Sequence, residues 1–151
     1  MFAEKAEVLR LKLYRTALCY FGDPSVALDV VDEAVYRGLC SCKKLKQPEF
    51  FDTWMTRILI NECHREQKRR SRFRSLDDLP EPQAEELDSL PLREALQRLP
   101  KELKDVVILR YFSGCTLAET AETLQIPQGT VVTRQRRALK LLRLELEEVE
   151  L

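Results

Sequence analysis

The sequence lacks what a sheet protein or a membrane protein needs. Only four of its 151 residues are glycine, and neither Asn-Gly nor Asp-Gly occurs, so the usual signals for tight β-hairpins are missing. No apolar run approaches the roughly 18 residues of a membrane-spanning helix, and no signal peptide is evident. The composition, 44% hydrophobic and 33% charged, therefore predicts a soluble all-α protein without membrane insertion.

Cysteine and histidine are too sparse for the common disulfide and metal frameworks. The cysteine count is five, an odd number, and most of these residues fall among apolar residues, so we expect reduced thiols and a cytoplasmic location. The single histidine, His64, has only Glu62 and Cys63 beside it, and the pair Cys40 and Cys42 lacks zinc-motif spacing. No glycine-rich phosphate loop or nucleophile motif occurs. We therefore expect no catalytic residue, metal or cofactor, and the protein is not predicted to be an enzyme.

The charges cancel overall but are separated along the chain. There are 25 basic and 25 acidic residues. Residues 65–74 hold six bases and one acid, and residues 77–88 hold six acids and no base. Residues 134–143 hold five bases and no acid, and residues 145–150 hold four acids and no base. Because a basic block attracts phosphates whatever the net charge, zero net charge does not exclude a nucleic-acid partner.

The first half of the sequence predicts three helices, of which two come before a loop. Apolar spacing predicts one helix over residues 6–21 and another over residues 26–39. Between them, Asp23 or Ser25 is expected to cap the second helix, with Pro24 near its first turn. The stretch KKLKQPEFF, residues 43–51, then reads as a connecting loop.

The third predicted helix, residues 51–74, is apolar on one side and basic toward its end. We predict an apolar stripe of Trp54, Ile58 and Leu59, with Met55 and Cys63 beside it. Residues spaced by three or four positions share another face of this helix: Arg57, Asn61, Arg65 and Lys68.

An acidic segment with three prolines, residues 75–91, separates the two halves and predicts a flexible linker. The second half predicts four helices, over residues 92–99, 101–112, 117–124 and 129–146. Thr116 is expected to cap the third of these, with Glu119 in the capping-box position.

The stretch TLAETAETLQIPQGTVVTRQRRALKLLR, residues 116–143, has the features of a helix-turn-helix motif. Ala121 is small enough for two helices to approach closely, and Ile126 is suited to plug the turn between them. Pro127 and Thr130 offer start signals for the second helix.

The second helix of this motif is expected to pack on one side and bind DNA on the other. Its predicted buried stripe comprises Val131, Ala138, Leu141 and Leu142. The remaining faces carry five cations and no acid, and such a surface attracts phosphates while its arginines can read guanine edges.

Two stretches together resemble the extracytoplasmic-function (ECF) group of sigma-70 family RNA polymerase sigma factors. The stretch LPKELKDVVILRYFSGCTLAETAETLQIPQGTVVTRQRRALKLLR is similar to region 4 of that group. LYRTALCYFGDPSVALDVVDEAVYRGL and FDTWMTRILINECHREQKRR are similar to region 2. The resemblance implies two small helical domains, a region 2 bundle (residues 1–74) and a region 4 helix-turn-helix (residues 92–151), joined by the linker of residues 75–91.

For region 4, the resemblance implies recognition of the minus-35 promoter element. The residues carried over are Thr130, Val132, Thr133, Arg134, Arg136 and Arg137 for the major groove, with Arg110 and Thr116 at phosphates. Two positions depart from the family pattern, because Gln125 stands where glycine is common and Val132 stands where a cation is common.

For region 2, the resemblance implies binding to core polymerase and melting of the minus-10 element. The core-binding residues carried over are Asp29, Asp32, Glu33 and Arg37. The minus-10 residues carried over are Phe50, Trp54, Arg57, Asn61, Arg65 and Lys68. Trp54 also suits a purely structural role as a core residue that anchors the loop before it.

The resemblance also implies partners. They are core polymerase, promoter DNA and an anti-sigma factor, and core polymerase is expected to be bound at its β′ coiled coil and β flap. The free protein is expected to be a monomer. Two other functions remain open from the sequence. One is a helix-turn-helix regulator that acts without core polymerase, although it would have no reason to carry residues 51–70. The other is an interaction protein that keeps the fold without promoter function.

Overall fold

A computed structural model describes residues 2–73 and 90–150, with side chains for residues 2–72 and 91–143. The described residues contain seven α-helices and no strand. The chain divides into two compact units, Met1–Gln83 (unit 1) and Ala84–Leu151 (unit 2). The all-α prediction is therefore confirmed. The predicted linker lies mostly outside the described residues, and its last two residues, Leu90 and Pro91, belong to a helix of unit 2.

Unit 1 is a bundle of three long helices that pack against one another. They are α1 (Phe2–Phe21), α2 (Pro24–Ser41) and α3 (Phe51–Phe73). Two short 3-10 turns, Cys42–Lys44 and Pro48–Phe50, form most of the connection between α2 and α3. The first helix begins four residues before its predicted start.

Local chemistry explains the sharp turn between α1 and α2. Gly22 has a φ of 66°, a left-handed conformation that costs glycine nothing. Asp23 then caps α2, because its carboxylate accepts a hydrogen bond of 2.9 Å from the backbone N–H of Ser25. The sequence left Asp23 and Ser25 as alternatives, and the structure selects Asp23.

The core face of α3 differs from the predicted stripe. Met55, Leu59 and Cys63 are fully buried, whereas Trp54 and Ile58 are only half-buried. The predicted stripe was rotated by about one residue, because α3 packs against both α1 and α2 and therefore buries a broader arc than one apolar row. At the α2 contact, a side chain at Gly38 would come within 2.8 Å of the Met55 sulfur, so this glycine permits the close approach of α2 and α3.

Unit 2 contains four helices and one π-helical turn. The helices are α4 (Leu90–Arg98), α5 (Lys101–Val107), α6 (Leu117–Leu124) and α7 (Gln128–Glu150). The π-helical turn, Ile108–Phe112, directly follows α5, where the sequence predicted a continuous helix over residues 101–112. Hydrogen-bond register inside a helix is not visible in hydrophobic periodicity, so this turn could not be predicted from the apolar pattern.

The helix-turn-helix of unit 2 packs around a small apolar cluster of Val106, Ala121 and Val131. Ile126 packs against this cluster, which confirms that it plugs the turn. The predicted stripe of α7 is buried at Val131, Ala138 and Leu142, but Leu141 was wrong, because it is 37% exposed.

Candidate nucleic-acid interface

A capped and tightly turned segment fixes the start of the second helix, α7. The side-chain oxygen of Thr116 accepts from the backbone N–H of Glu119 at 3.0 Å, and the Glu119 carboxylate accepts from the N–H of Thr116 at 2.9 Å. This is the predicted capping box. After α6, Gln125 takes a left-handed conformation with φ 57° and ψ 47°, which costs a residue with a side chain about 1 kcal/mol.

The carbonyl oxygen of Pro127 accepts the first backbone hydrogen bonds of α7. The N–H groups of Thr130 and Val131 donate to it at 3.0 and 3.2 Å. The helix therefore begins at Gln128, one residue earlier than predicted, and Thr130 lies within its first turn.

The predicted minus-35 residues lie on α7 outside its buried stripe. At about 100° per residue, Val131, Ala138 and Leu142 mark the inner face of the helix. Thr133, Arg136 and Arg137 are exposed away from it. The others on this helix are half-buried at its flanks: Thr130, Val132 and Arg134.

Two predicted phosphate contacts make hydrogen bonds inside unit 2. Arg110 lies in the π-helical turn and donates from Nε to Oε1 of Gln135 at 2.9 Å and from Nη1 to the carbonyl oxygen of Cys115 at 2.7 Å. Thr116 is the helix cap described above. Gln135 was not singled out by the sequence, because a glutamine among arginines carries no pattern that predicts a partner 25 residues away.

In unit 1, the predicted minus-10 residues of α3 share the face opposite its buried side. Trp54 and Arg57, on its first turns, are half-buried. Asn61, Arg65 and Lys68, further along, are exposed. The helix therefore offers solvent a row of polar and basic side chains, as the three-to-four spacing predicts.

Aromatic side chains hold the segment that leads into α3. Phe2 packs edge-on against Phe51 and Trp54, with ring centroids 5.7 and 6.5 Å apart. Trp54 is thus part of a cluster that anchors the end of the loop, while Phe50, 49% exposed, faces solvent. The start of α1, which lies before the predicted helix over residues 6–21, supplies Phe2 to this cluster.

The predicted core-binding residues are all exposed on α2. Asp32 accepts a hydrogen bond of 2.6 Å from Arg10 of α1. Glu33 pairs with Arg37 at 3.2 Å, one turn further along the same helix. Asp29 lies on the same side of α2 as Glu33 and lines a cleft of about 390 Å³ between α2 and α3.

A buried carboxylate joins the two predicted surfaces of unit 1. The side chain of Glu62 is 10% exposed, and its Oε2 lies 2.8 Å from Nε of Arg37 and 2.7 Å from Nη1 of Arg65. Arg37 is a predicted polymerase contact and Arg65 a predicted DNA contact. The i,i+3 spacing of Glu62 and Arg65 is visible in the sequence, but the pairing with α2 appears only in the fold.

A second carboxylate, Glu66, forms ion pairs with two arginines of its own helix, α3. It lies 2.6 Å from Nη2 of Arg69 and 3.3 Å from Nε of Arg70. The hydrogen bond from Arg69, with the positive charges of both arginines, lowers the pKa of Glu66.

The cysteines have contrasting environments. Cys19 is buried, and desolvation raises the pKa of its thiol to about 12, so it stays protonated at neutral pH. Cys40 is exposed and hydrogen-bonds Tyr36, which raises the pKa of the tyrosine.

Within residues 2–73 and 90–143, no group of three or more His, Cys, Asp or Glu side chains is arranged to hold a metal ion. Among the described helices, no stretch combines the length and the apolar character that a membrane span requires.

Both halves of the chain match known families. Residues 7–73 match the family described as sigma-70 region 2, and residues 89–142 match sigma-70, region 4. The RNA polymerase sigma factor SigV of Bacillus subtilis is 33% identical over 143 residues, which cover 91% of this chain and 86% of that protein. The ECF RNA polymerase sigma factor SigL of Mycobacterium tuberculosis is 30% identical over 155 residues, covering 91% of this chain and 84% of that protein.

Solved structures share the fold. The sigma factor RpoE from Bartonella quintana, in complex with the anti-sigma factor NepR, has a TM-score of 0.78 and 21% sequence identity, with 97% of this chain and 96% of that chain covered. CnrH in complex with the cytosolic domain of CnrY has a TM-score of 0.78 and 20% identity, with 97% of this chain and 88% of that chain covered.

Proposed function

Because the chain belongs to the ECF group of sigma-70 family RNA polymerase sigma factors, which bind core polymerase and direct promoter-specific initiation, we propose how its two units divide that task. Unit 1 binds the β′ coiled coil through α2 and opens the minus-10 element along α3. Unit 2 reads the minus-35 element with α7 and contacts the β flap.

The observation that carries the assignment of unit 2 is the orientation of α7. Its apolar stripe packs into the unit, while Thr133, Arg136 and Arg137 point to solvent. A helix of this kind fits the major groove, where arginine binds guanine edges in a bidentate manner and also pairs with phosphates. The turn that joins α6 to α7 contains the left-handed Gln125 and the Ile126 plug, which packs against the apolar cluster.

The assignment of unit 1 is supported by two faces that point away from its core. The acids of α2 suit a basic partner surface, because Asp29, Asp32 and Glu33 are all exposed. The row along α3 combines Trp54 with basic side chains, and Phe50 lies exposed in the 3-10 turn just before it. Single strands bind where aromatic and cationic side chains occur together.

The structural relatives suggest a further partner. The two structural relatives named above were solved with an anti-sigma factor and with the cytosolic domain of CnrY, and we propose that an anti-sigma factor also binds this chain. We further propose that the protein acts in the cytoplasm, is a monomer when free and has no catalytic activity of its own.

The test is transcription in vitro with purified core polymerase and a library of promoters, with and without this protein. Initiation at a defined promoter set that requires the protein supports the proposal and supplies both recognition elements. Core binding without initiation would instead favour an interaction protein that has lost promoter function. A folded protein that neither binds core nor supports initiation would leave a helix-turn-helix regulator as the better account.

A further inference from the structure

Arg110 connects three parts of the helix-turn-helix. It lies in the π-helical turn after α5, and its guanidinium donates to the Cys115 carbonyl ahead of α6 and to the Gln135 side chain on α7. Cys115 is itself tied to the same turn, because its N–H donates to the carbonyl of Leu109 at 2.9 Å. One side chain thus joins the entry of the first helix to the flank of the second.

The planar fork of arginine suits this bridge. Its N–H groups have fixed directions, so two acceptors on different elements are held at a set distance and angle. Lysine has the same charge but lacks this geometry. With two of its donors directed inward, Arg110 has less capacity to reach a phosphate than its resemblance to family members implies.

Gln135 occupies the boundary between the two faces of α7. It lies four residues after Val131 and three before Ala138, both fully buried, and it stands between Arg134 and Arg136. Its Oε1 accepts from Arg110, so the position of Gln135 is set from outside the helix.

A directional bond is needed here because the apolar packing of α7 is not directional. Hydrophobic contacts with Val106 and Ala121 hold the helix close, but none of them has the fixed direction of a hydrogen bond, which opposes small rotations of the helix about its axis. A roll of about 15° moves atoms at the surface of a helix by about 1.5 Å. Recognition groups need to be held to about 0.5 Å, so such a roll would misalign them.

We propose that Arg110 and Gln135 form a positioning pair that fixes the rotation of α7 and so the alignment of its arginines with base edges. Arg110 acts through Gln135 and not through a phosphate. This inference rests on the proposed function, since it requires α7 to read the minus-35 element.

The test measures binding of the holoenzyme to two duplexes, a promoter from the transcription library and the same promoter with a scrambled minus-35 element, over a range of salt concentrations. The variants are Gln135→Leu, Gln135→Glu, Arg110→Lys, Arg110→Gln and the double variant that combines Gln135→Leu with Arg110→Lys. Gln97→Leu is the matched control, because Gln97 lies on α4 of the same unit, away from α7 in sequence, and accepts a 3.4 Å bond from Lys104. Thermal unfolding followed by circular dichroism checks that each variant folds.

For a positioning pair, Gln135→Leu and Arg110→Lys each lower the ratio of specific to scrambled binding by about tenfold. The double variant has the same ratio as either single variant, because the two residues act through one bond. The slope of log affinity against log salt concentration is unchanged, because no phosphate contact is lost. Gln97→Leu keeps the wild-type ratio. Gln135→Glu, which retains an acceptor for Arg110, also keeps the ratio even though its charge weakens binding to both duplexes.

Other outcomes overturn the pair. If Gln135→Leu binds as the wild type does, and Arg110→Gln lowers the salt slope by about one, then Arg110 is a phosphate contact. A second such outcome is that Gln135→Leu and Arg110→Lys both unfold unit 2, while Gln135→Glu folds but no longer prefers the promoter to the scrambled duplex. The rotation of α7 is then not set by this bond. Failure of the wild-type holoenzyme to distinguish the two duplexes would instead refute the proposed function of unit 2.

Discussion

The two helices proposed to face DNA both have a buried apolar side, but the polar interactions that supplement it differ. In unit 1, α3 is tied to α2 through the Glu62 carboxylate, with arginines from both helices around it. In unit 2, α7 is held by an apolar cluster, a capped turn and the hydrogen bond from Arg110 to Gln135. Ion pairs weaken in acid and in salt, whereas apolar packing does not. We therefore expect unit 1 to be the more sensitive to solution conditions and unit 2 the more sensitive to side-chain shape.

This difference suits the two proposed tasks. A helix that reads duplex DNA must hold its side chains in one register, which favours rigid packing and directional bonds. A helix that guides a separated strand has to follow a flexible ligand. Arg65 is 57% exposed and shares its carboxylate with Arg37, so it is free to exchange that partner for a phosphate.

The largest expected effect comes from breaking the packing of unit 2 alone. Val131→Asp would place a carboxylate in the cluster with Val106 and Ala121, where Val131 is 0% exposed. An unpaired buried charge costs several kcal/mol, which approaches the whole stability of a small domain. Two-dimensional NMR of the full chain is expected to lose the dispersed signals of unit 2 and keep those of unit 1.

The neighbouring Val132→Asp is the matched control for this change. Val132 is half-buried at the flank of α7, so the same carboxylate can remain solvated there. Unit 2 is expected to stay folded, while binding to a minus-35 duplex weakens because of repulsion from the phosphates. Loss of both units in Val131→Asp would show that they do not fold separately.

The next effect tests the ion pairs of unit 1. Glu62→Gln removes the carboxylate that joins α2 to α3 and is expected to lower the free energy of unfolding by about 1–2 kcal/mol, since charged hydrogen bonds are lost but both arginines are half-exposed. Because Arg65 also loses its carboxylate, affinity for the promoter single strand is expected to rise about threefold. Urea unfolding and fluorescence anisotropy measure the two quantities.

Glu66→Gln is the control, because the ion pairs of Glu66 in the described part of the chain are with Arg69 and Arg70 of its own helix. Its stability loss is expected to stay below about 1 kcal/mol, as for most exposed pairs. Equal losses in the two variants would mean that the link between helices contributes nothing beyond a local ion pair.

The separation of interacting residues along the chain explains which features were predictable from sequence. Caps, turns and apolar rows depend on residues a few positions apart, so the Thr116 and Glu119 capping box and the Ile126 plug were predicted correctly. The buried side of α3 was misjudged, because packing against two helices at once leaves no simple period. Contacts across the fold, such as Glu62 with Arg37 or Arg110 with Gln135, join residues 25 positions apart, and no local pattern encodes them.

The roles assigned to individual residues stay predictions. The structure places Arg136, Arg137 and Thr133 on an exposed face, and the family explains why such a face matters. The structure also shows hydrogen bonds of Arg110 and Thr116 inside unit 2, which the resemblance to the family did not indicate.

A smaller effect is expected at the turn of the helix-turn-helix. Gln125→Gly removes the strain of a side chain at φ 57° and is expected to stabilise unit 2 by about 0.5–1 kcal/mol. Glu122→Gly, in the body of α6 with ordinary helical geometry, is the control and is expected to destabilise it by about 1 kcal/mol. Thermal unfolding measures both. A loss of stability in Gln125→Gly would indicate that the glutamine side chain itself holds the turn.

The smallest expected effect is on the pH dependence of stability, which is expected to differ between a variant in unit 1 and one in unit 2. The pKa of Glu66 is lowered in the folded protein from its ordinary 4.5, chiefly by the hydrogen bond from Arg69. A carboxyl group whose pKa is lower when folded stabilises the protein fully above its unfolded value, and that contribution is lost as the pH falls from about 5 through the folded pKa. The wild type is therefore expected to lose more stability than Glu66→Gln as the pH falls from about 6 to about 3, and the difference shrinks in high salt. Because Gln125→Gly changes no charge, its stability difference from the wild type is expected to stay constant over the same range. A pH-dependent difference in that variant, or none in Glu66→Gln, would contradict the assignment of acid sensitivity to the ion pairs of α3.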